Sequence, residues 1–246
     1  MDMNARFRLD GKTVLVTGAS SGIGRACAIA CSEVGATIVL NGRDHQRLES
    51  VYLNLSGEGH HIIQADHVDE IELQTLADRC PQLDGIIHCA GIHGVAPMRM
   101  LQRKMLTNVF ETNYMAPMFL TQRLLAKKRI NSKSSILFVS SISAKAGKVG
   151  MGPYSGSKAA LIGSMRPLAL EVAKFGIRVN AVCPGIVETP LFAGQSDWLN
   201  DTVAKSYPLG LGRPEDIAHT SVFFLSDASC KITGTAFSID GGVVMI

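Results

Sequence analysis

Short apolar runs alternate with helical segments along almost the whole chain, and this alternation restricts the possible folds more than any other feature. The runs typical of buried strands are residues 13–17, 36–40, 61–65, 85–89, 135–139, 177–182 and 236–239. Helical stretches separate them, notably residues 22–34, 106–128 and 153–174. Apolar strands that alternate with helices indicate a parallel sheet covered on both faces. We therefore predict an α/β fold, a doubly wound parallel sheet built from two mononucleotide-binding halves.

Length and composition are consistent with one domain. The 246 residues contain no internal repeat and no low-complexity linker, and α/β proteins of this length often form a single domain. Hydrophobic residues make up 46% of the chain and charged residues 18%, which is enough for a large core. We expect residues 1–246 to fold as one unit.

Charge and cysteine content argue against several kinds of partner. The formal net charge of +3 is too small to indicate nucleic acid or an anionic membrane. No run of about 18 apolar residues predicts a membrane span, and residues 1–10 do not resemble a signal peptide. The six cysteines include no CxxC pair and mostly lie in apolar surroundings. We expect a reduced protein in the cytoplasm.

A glycine-rich turn follows the first predicted strand. Residues 17–24 read TGASSGIG, so Gly18, Gly22 and Gly24 have the spacing GxxxGxG. The first glycine permits a tight turn, and the others let the backbone approach a pyrophosphate, which the start of the next helix would bind. The turn predicts a dinucleotide site, and a turn without a ligand is the alternative. Further contacts expected from it are Ser20, Ser21 and Ile23.

The end of the second predicted strand indicates which dinucleotide is bound. It carries no acidic residue that would accept from the ribose hydroxyls and repel a 2′-phosphate. Arg43 follows instead, and its planar donor fork suits phosphate. NADP(H) is therefore favoured over NAD(H), unless Arg43 is a loop arginine paired with Asp44. After the third strand, Asp66 could accept from the adenine amino group, and His67 would contact the adenine through its backbone.

Tyr154 and Lys158 lie four residues apart in a predicted helix. That spacing puts both side chains on one face, about 5–6 Å apart at Cβ. An ammonium beside a phenol is expected to lower the pKa of the phenol from about 10, which makes Tyr154 a usable proton donor or acceptor. The pair also occurs by chance in helices, but Ser141 and Asn113 upstream make a catalytic site the better interpretation.

Over essentially its full length the chain resembles the short-chain dehydrogenase/reductase family. The matching segments are TGASSGIG at 17–24, Asp66, AG at 90–91, Asn113 in ETNYMAP, Ser141 in VSSIS, YSGSK at 154–158, PGIVET at 184–189, RPEDIA at 213–218 and TGTAFSIDGG at 233–242. They are most similar to a group that includes 3-oxoacyl-carrier-protein reductases and many polyol, sugar and steroid dehydrogenases. The resemblance implies hydride transfer between a nicotinamide cofactor and a ketone or secondary alcohol, with no metal.

The resemblance also implies roles for the catalytic residues. Tyr154 would protonate the carbonyl oxygen, and Lys158 would lower its pKa and bind the nicotinamide ribose. Ser141 lies thirteen residues before Tyr154, the usual interval in the family, and would donate to the substrate oxygen. Ser140 and Ser143 fit that interval less well. Two hydroxyl donors suit the alkoxide character that hydride transfer leaves on the substrate oxygen.

Other family positions are carried over in the same way. Asn113, on a helix, would hold a water that relays protons toward Lys158; a polar residue that kinks a buried helix is the alternative. The remaining implied cofactor contacts are the backbones of Ala90, Gly91 and Val187, the turn formed by Pro184 and Gly185, and the Thr189 hydroxyl.

The chain departs from the family where Asn-Asn-Ala-Gly is usual. It has His88-Cys89-Ala90-Gly91, and a thiol is a weak hydrogen-bond partner, so the tie across the central sheet is expected to be weaker. A redox-active Cys89 is disfavoured because buried strand cysteines are usually inert. His88 and His93 are expected to flank the mouth of the site, where His93 could contact substrate. No set of histidines predicts zinc.

Substrate and assembly follow mainly from the resemblance. Residues 190–208 would form a flap over the substrate, with an apolar cover that includes Tyr207, and Met98, Ile142 and Met151 would add to the wall. An acyl, steroid, terpenoid or sugar carbonyl is compatible with such a pocket. A homotetramer, built through the helices at 106–128 and 153–174 and the C-terminal strand, is expected, with a dimer as the alternative.

The basic run Lys127, Lys128 and Arg129 has two explanations. Cations at the end of a helix are ordinary, whereas an acidic carrier protein would be the more specific partner. The sequence as a whole predicts an NADP(H)-dependent reductase of a carbonyl/secondary-alcohol pair. The alternatives are an NAD(H)-dependent polyol, sugar or steroid dehydrogenase and a non-catalytic NADP-binding regulator.

Overall fold

Seven parallel strands form one sheet in the computed structural model, which describes residues 4–189 and 204–245. The strands are β1 (Thr13–Thr17), β2 (Thr37–Gly42), β3 (His61–Gln64), β4 (Leu83–His88), β5 (Ile130–Val139), β6 (Arg178–Pro184) and β7 (Ala236–Ile239). Their order is β3-β2-β1-β4-β5-β6-β7. The order reverses between β1 and β4, as in a doubly wound sheet, where ligands bind at the carboxyl ends of the strands. The predicted fold class is confirmed.

Helices cover both faces of this sheet. They are α1 (Gly22–Glu33), α2 (His45–Tyr52), α3 (Glu70–Arg79), α4 (Arg103–Phe110), α5 (Ala116–Ala126), α6 (Gly152–Val172) and α7 (Pro214–Leu225). None of the helices in the described part of the chain is long and apolar enough to cross a membrane. All six cysteines are unpaired.

The core lies in two layers because successive strand residues point to opposite faces. Leu15 of β1 packs in the layer that also holds Leu76 of α3 and Met165 of α6. Its neighbours Val14 and Val16 pack in the layer formed with α1, α2 and α7. Every one of these side chains is fully buried. Apolar residues on both faces explain why the strands appear as continuous apolar runs in the sequence.

The helix predicted over residues 106–128 is interrupted. One π-helical turn, Glu111–Met115, separates α4 from α5. Pro117 has no N–H to give to the carbonyl of Asn113, so regular α-helical bonding fails there. The widened turn carries Asn113, which is 1% exposed. Apolar periodicity alone did not reveal the interruption.

The connection into β5 also differs from the prediction. The strand begins at Ile130, which pairs with Leu83, and a register shift follows before the regular pairing of Ser135 with Gly85. Lys133 has a φ of 64°, so this first part is irregular as well as polar. Apolar runs do not predict this first part of β5 because its residues are polar.

The basic residues before β5 are partly engaged with α3. Lys127 pairs with Asp78 at 2.5 Å, and Arg129 donates to the Asp78 carbonyl at 3.1 Å. α5 ends at Ala126, so these cations follow the helix rather than close it. Both contacts support the ordinary structural explanation for the basic run.

Candidate active site

The glycine turn between β1 and α1 brings the backbone very close to the end of β4. A Cβ on Gly18 would lie 2.8 Å from the Ala90 Cα, and one on Gly24 would lie 2.3 Å from the Gly18 oxygen. Gly18 also has a φ of 63°, a conformation that favours glycine. Ser21, which precedes α1, makes no side-chain cap, so the first N–H groups of the helix are free to bind an anion.

A groove of about 330 Å³ extends from this turn along the ends of β1, β2 and β4. Twelve of the predicted cofactor contacts line it: Gly18, Ser20, Ser21, Gly22, Ile23, Gly24, Arg43, Asp66, His67, Ala90, Gly91 and Thr189. The structure therefore brings these predicted contacts together in one groove. The groove has glycine backbone that a ligand can approach closely, N–H groups at a helix N-terminus and cationic side chains, and these features fit the phosphate groups of a dinucleotide.

Arg43 does not pair with Asp44. Its Nη1 lies 3.8 Å from Oδ2 of Asp66, whereas Asp44 caps α2 by accepting from the Arg47 N–H at 3.1 Å. The pairing of Arg43 with Asp44 is therefore wrong, although Arg43 is exposed, as that alternative expected. The pair with Asp66 is long and exposed, so it holds Arg43 only weakly. Arg47 lines the same groove and was missed, although it follows Arg43 by four residues.

His67 is deeper in the groove than a backbone contact alone would require. Its Nε2 is buried with no hydrogen-bond partner among the described residues, and burial lowers the pKa of the imidazole. Asp66 Oδ1 accepts from the Val68 N–H at 3.0 Å. The carboxylate is therefore oriented by its own loop, with lone pairs left for a further donor.

A second cavity, about 500 Å³ in volume, adjoins the groove and contains the predicted catalytic residues. Ser141 follows β5, and Tyr154 and Lys158 come from the first turns of α6. Ser141 is hydrogen-bonded to the Tyr154 hydroxyl. The Lys158 Nζ lies 5.8 Å from the centroid of the phenol ring and donates to the Val139 carbonyl at 2.8 Å. The other predicted cofactor contacts here are Pro184, Gly185 and Val187.

The electrostatics of the pair differ from the expectation. Burial raises the pKa of Tyr154, and the hydrogen bond with Ser141 offsets only part of that effect. The prediction of a lowered phenol pKa is therefore wrong for this arrangement. Burial also lowers the pKa of Lys158 to about 8, although the Cys89 and Cys183 thiols oppose the shift. Desolvation disfavours the charged form of each group, so it raises the pKa of the phenol and lowers that of the ammonium.

The neighbouring serines are distinguished by their partners. Ser140 donates to the Lys158 carbonyl at 2.8 Å, so its hydroxyl is committed to the backbone of α6. Ser141 Oγ accepts from the Ser143 N–H at 3.1 Å, which fixes the oxygen and leaves its proton to donate. The geometry therefore singles out Ser141 as the hydroxyl beside Tyr154.

Asn113 joins three parts of the site. Its Oδ1 accepts from the Ile92 N–H at 2.8 Å, and its Nδ2 donates to the Ile92 carbonyl at 2.9 Å and to Ser157 Oγ at 3.0 Å. Both amide protons are used, so the side chain ties the segment after β4 to α6. Whether Asn113 also holds a water is left as a prediction.

Tyr207, at the end of the predicted flap, is packed against the turn after β6. It is 7% exposed and its hydroxyl accepts from the Ile186 N–H at 3.0 Å. A Cβ on Gly185 would lie 2.8 Å from the Tyr207 ring, so the tyrosine supports the turn after β6, and it also lines the catalytic cavity. Ile142 and Met151 line the cavity, whereas Met98 is 75% exposed and lies outside its lining. Residues 190–203 of the predicted flap lie outside the described residues.

His88 is in the core, not at the mouth of the site as predicted. Its ring is 3% exposed and stacks on Phe138 with centroids 4.8 Å apart. Nε2 lies 2.9 Å from Thr121 Oγ1, and Thr121 gives its own proton to the Pro117 carbonyl. Nε2 therefore carries the imidazole proton. Nδ1 is buried without a partner in the described structure, and burial lowers the pKa of His88 to about 3.

Cys89 connects the sheet to α1 by a thiol contact. It is hydrogen-bonded to Cys27, and this neighbour, together with burial, raises the pKa of the Cys89 thiol, which is the property of an unreactive thiol. Within residues 4–189 and 204–245, no three His, Cys, Asp or Glu side chains are grouped as metal ligands.

Comparisons with known proteins agree with this geometry. A family model described as enoyl-(acyl carrier protein) reductase matches residues 18–244. The 3-oxoacyl-[acyl-carrier-protein] reductase of Rickettsia felis is 32% identical over 239 residues, which cover 97% of this chain and 99% of the relative. The corresponding reductase of Thermotoga maritima is 31% identical over 246 residues, covering 97% of this chain and 100% of the relative.

Solved structures are similar over the same length. A short chain dehydrogenase/reductase family protein has a TM-score of 0.87 at 32% identity, covering 97% of this chain and all of that one. A short-chain type dehydrogenase/reductase from Mycobacterium marinum has a TM-score of 0.90 at 28% identity, covering 98% of each chain. The chain therefore belongs to the short-chain dehydrogenase/reductase family, and it is an oxidoreductase that uses a nicotinamide cofactor on a ketone/secondary-alcohol pair.

Proposed function

We propose that the protein is an NADP(H)-dependent reductase of 3-oxoacyl-type or related ketones. One observation carries the proposal: Ser141, Tyr154 and Lys158 meet on one side of a cavity that adjoins the glycine turn. Reduction is the proposed direction because it needs a proton donor, and burial keeps the Tyr154 phenol protonated at neutral pH. In this proposal the chain acts as one domain, with residues 190–208 as the substrate flap.

The catalytic residues have separate tasks in this mechanism. NADPH, when bound in the groove, would supply the hydride. The hydroxyls of Ser141 and Tyr154 donate to the substrate oxygen, which stabilises the negative charge that develops on it. Tyr154 then gives up its phenolic proton, and proton transfer of this kind contributes about 10²–10⁴-fold.

Lys158 supports the Tyr154 phenolate that remains. The ammonium is near the ring, and an opposite charge at short range favours the ionised phenol. Its bond to the Val139 carbonyl fixes it at the end of β5, where it would also reach ribose hydroxyls. Asn113 holds α6 and the segment after β4 together by hydrogen bonds.

Two arginines support NADP(H) as the cofactor. Arg43 and Arg47 both line the groove, and their forked donors suit a 2′-phosphate. A Beutenbergia cavernae structure, assigned as a candidate NAD(P)-dependent gluconate 5-dehydrogenase, contains NADP at low occupancy and matches with a TM-score of 0.89 at 29% identity. Asp66 and His67 are the proposed adenine contacts.

The substrate class rests on the relatives and on the cavity wall. The two relatives described above are reductases of 3-oxoacyl-carrier-protein substrates. Apolar side chains dominate the wall, including Ile142, Val149, Met151 and Ile186, which suits an acyl chain better than a polyol. The three-residue basic run before β5 supports a carrier protein only weakly because Lys127 and Arg129 already contact α3.

A homotetramer in the cytoplasm completes the proposal. Exposed apolar side chains lie on the elements expected to meet: Met105, Leu106, Phe119, Leu170 and Phe237. Such surfaces are typical of subunit contacts. Unpaired cysteines are usual in a reducing compartment. Size-exclusion chromatography with light scattering would give the mass of the assembly.

Turnover of a carbonyl panel tests the proposed function. Purified protein is mixed with NADPH and with a 3-oxoacyl thioester, a cyclic ketone or a keto sugar, and nicotinamide absorbance is followed. The proposal predicts the largest kcat/KM for the thioester. A preference for keto sugars would favour the polyol and sugar alternative, and binding of NADPH without turnover on any carbonyl would favour a regulator.

A further inference from the structure

We propose that His93 is a positioning residue for Tyr154: its imidazole stacks on the phenol ring and keeps the hydroxyl directed at Ser141. The two rings lie 4.7 Å apart between centroids and are inclined by 21°, an arrangement typical of offset aromatic stacking. The inference rests on the proposed function, in which Tyr154 is the acid. His93 would act through Tyr154 rather than on the substrate oxygen.

One hydrogen-bond network anchors both rings. Ile92, the residue before His93, has its N–H and its carbonyl bonded to the Asn113 side chain at 2.8 Å and 2.9 Å. The same amide donates to Ser157 Oγ at 3.0 Å. Ser157 in turn donates to the Tyr154 carbonyl at 2.7 Å. The backbone that carries His93 and the backbone that carries Tyr154 are therefore held in fixed positions relative to each other.

Tyr154 has two further contacts, one at its hydroxyl and one at its ring. Ser141 is hydrogen-bonded to the Tyr154 hydroxyl, and the Lys158 Nζ lies 5.8 Å from the ring centroid. The first contact fixes the direction of the hydroxyl, and the second places the ammonium near the ring. In a cavity of about 500 Å³ a phenol without the stack has room to tilt. A displacement of about 1 Å can cost about 10²-fold in rate, so a loss near tenfold is expected for a partial tilt.

The stack also has an electrostatic requirement. Burial and the nearby Lys158 lower the pKa of His93, so the imidazole is neutral at pH 7. The titratable groups that line the same cavity within the described residues are Cys89, Lys148, Tyr154, Lys158 and Tyr207. An imidazolium would place a second cation beside Lys158 and favour the phenolate. Below the pKa of His93, repulsion between the two cations would displace the imidazole from the stack, and the proton donor for reduction would be misplaced.

Three variants test this role against a simple structural one. His93→Ala removes the ring, His93→Phe keeps a ring that cannot titrate, and His219→Ala changes an exposed histidine of α7 as the control. We expect His93→Ala to lower kcat about tenfold while the Kd for NADPH changes less than about twofold. His93→Phe should recover most of the lost turnover and lack the acid limb of the kcat profile. Equal kcat and pH profile in wild type and His93→Ala would overturn the inference, as would a His93→Phe enzyme no better than His93→Ala.

A measurement on the protein without substrate separates this inference from the proposed function. Titration of Tyr154 is followed by tyrosinate absorbance, with Tyr154→Phe as the blank. Loss of the His93 ring should expose the phenol to water and move its pKa down toward the ordinary value, because burial is what raises it. No change in the titration of His93→Ala would overturn the stack, even in a protein that reduces none of the tested carbonyls.

Discussion

Lys158 donates from Nζ to the carbonyl of Val139, the last residue of β5, at 2.8 Å. The bond attaches the catalytic face of α6 directly to the carboxyl end of the sheet. Because Lys158 is only 4% exposed, its ammonium is held in the interior against a desolvation cost. The placement that serves the chemistry therefore opposes the stability of the fold.

Replacing Lys158 by methionine should stabilise the protein and abolish turnover. The folded pKa of about 8 lies below the ordinary 10.5, so the unfolded state binds the proton more tightly and wild-type stability rises with pH between these values. Below pH 8, burial of the charged Lys158 lowers the stability by about 3 kcal/mol, at about 1.4 kcal/mol per pKa unit. The hydrogen bond that Lys158 makes offsets about 1 kcal/mol of this, and the variant loses that bond. Urea unfolding at pH 7 should show Lys158→Met more stable by roughly 2 kcal/mol. A less stable variant would contradict this.

The buried His88 should make the protein sensitive to acid. Its folded pKa of about 3 is below the unfolded value of about 6.5, so the unfolded state takes up the proton first and stability is lost as pH falls through that window. The loss between pH 7 and pH 5 is about 2 kcal/mol from this residue. His88→Asn should remove most of that difference, measured by unfolding at both pH values.

The exposed His219 of α7 provides the matched control for that experiment. His219→Asn should keep the wild-type difference between pH 7 and pH 5, because the substitution leaves His88 and its surroundings in the core unchanged. If His88→Asn lost as much stability on acidification as wild type, the neutral buried imidazole would be refuted.

Two glycine-to-alanine substitutions should change the stability of the protein in opposite directions. In Gly24→Ala the new Cβ would lie 2.3 Å from the Gly18 oxygen, so the turn must move, at about 1–3 kcal/mol, and NADPH should bind at least about tenfold more weakly. Gly163 lies within α6 with nothing within 4 Å of an added Cβ, so Gly163→Ala should stabilise by about 0.5–1 kcal/mol. Similar results for both variants would contradict the close approach at the turn.

Arg43 should determine the preference between the two nicotinamide cofactors. Loss of a charge-assisted hydrogen bond to phosphate costs about 1.5–3 kcal/mol, so Arg43→Ala should raise the Kd for NADPH about tenfold or more and leave that for NADH nearly unchanged. Arg47→Ala should act in the same direction, more weakly. The exposed Arg79 at the end of α3 is the control.

Salt gives an independent check on the same contact. The NADPH advantage of wild type should shrink as ionic strength rises, because Arg43 is largely exposed and its interactions are screened. Tighter binding of NADH than NADPH by wild type would contradict the assignment of NADP(H) as the cofactor.

Local sequence rules predicted the parts of the site that depend on spacing. Glycines 18, 22 and 24 came from a turn whose geometry other residues cannot adopt, and Tyr154 and Lys158 came from helical periodicity. Both signals act within a few residues. The strands were found because each is apolar on both faces, which reflects burial in the middle of a three-layer fold.

Features that depend on tertiary surroundings were not predictable in this way. The direction of the Tyr154 pKa follows from how deeply the phenol is buried, and the position of His88 follows from a stack on Phe138 fifty residues further along the chain. The π-helical turn at Asn113 had one visible signal, Pro117, which was not used. Arg47 needed the start of α2 to be known before its place beside Arg43 could be inferred.

Single-turnover and steady-state kinetics of Tyr154→Phe test the central claim most directly. The variant keeps the ring, and therefore the stack with His93, and loses only the proton that the reaction needs. We predict that carbonyl reduction falls by at least about 10²-fold while the Kd for NADPH stays within about twofold of wild type. A Tyr154→Phe enzyme that retains more than about a tenth of the wild-type rate would contradict the account.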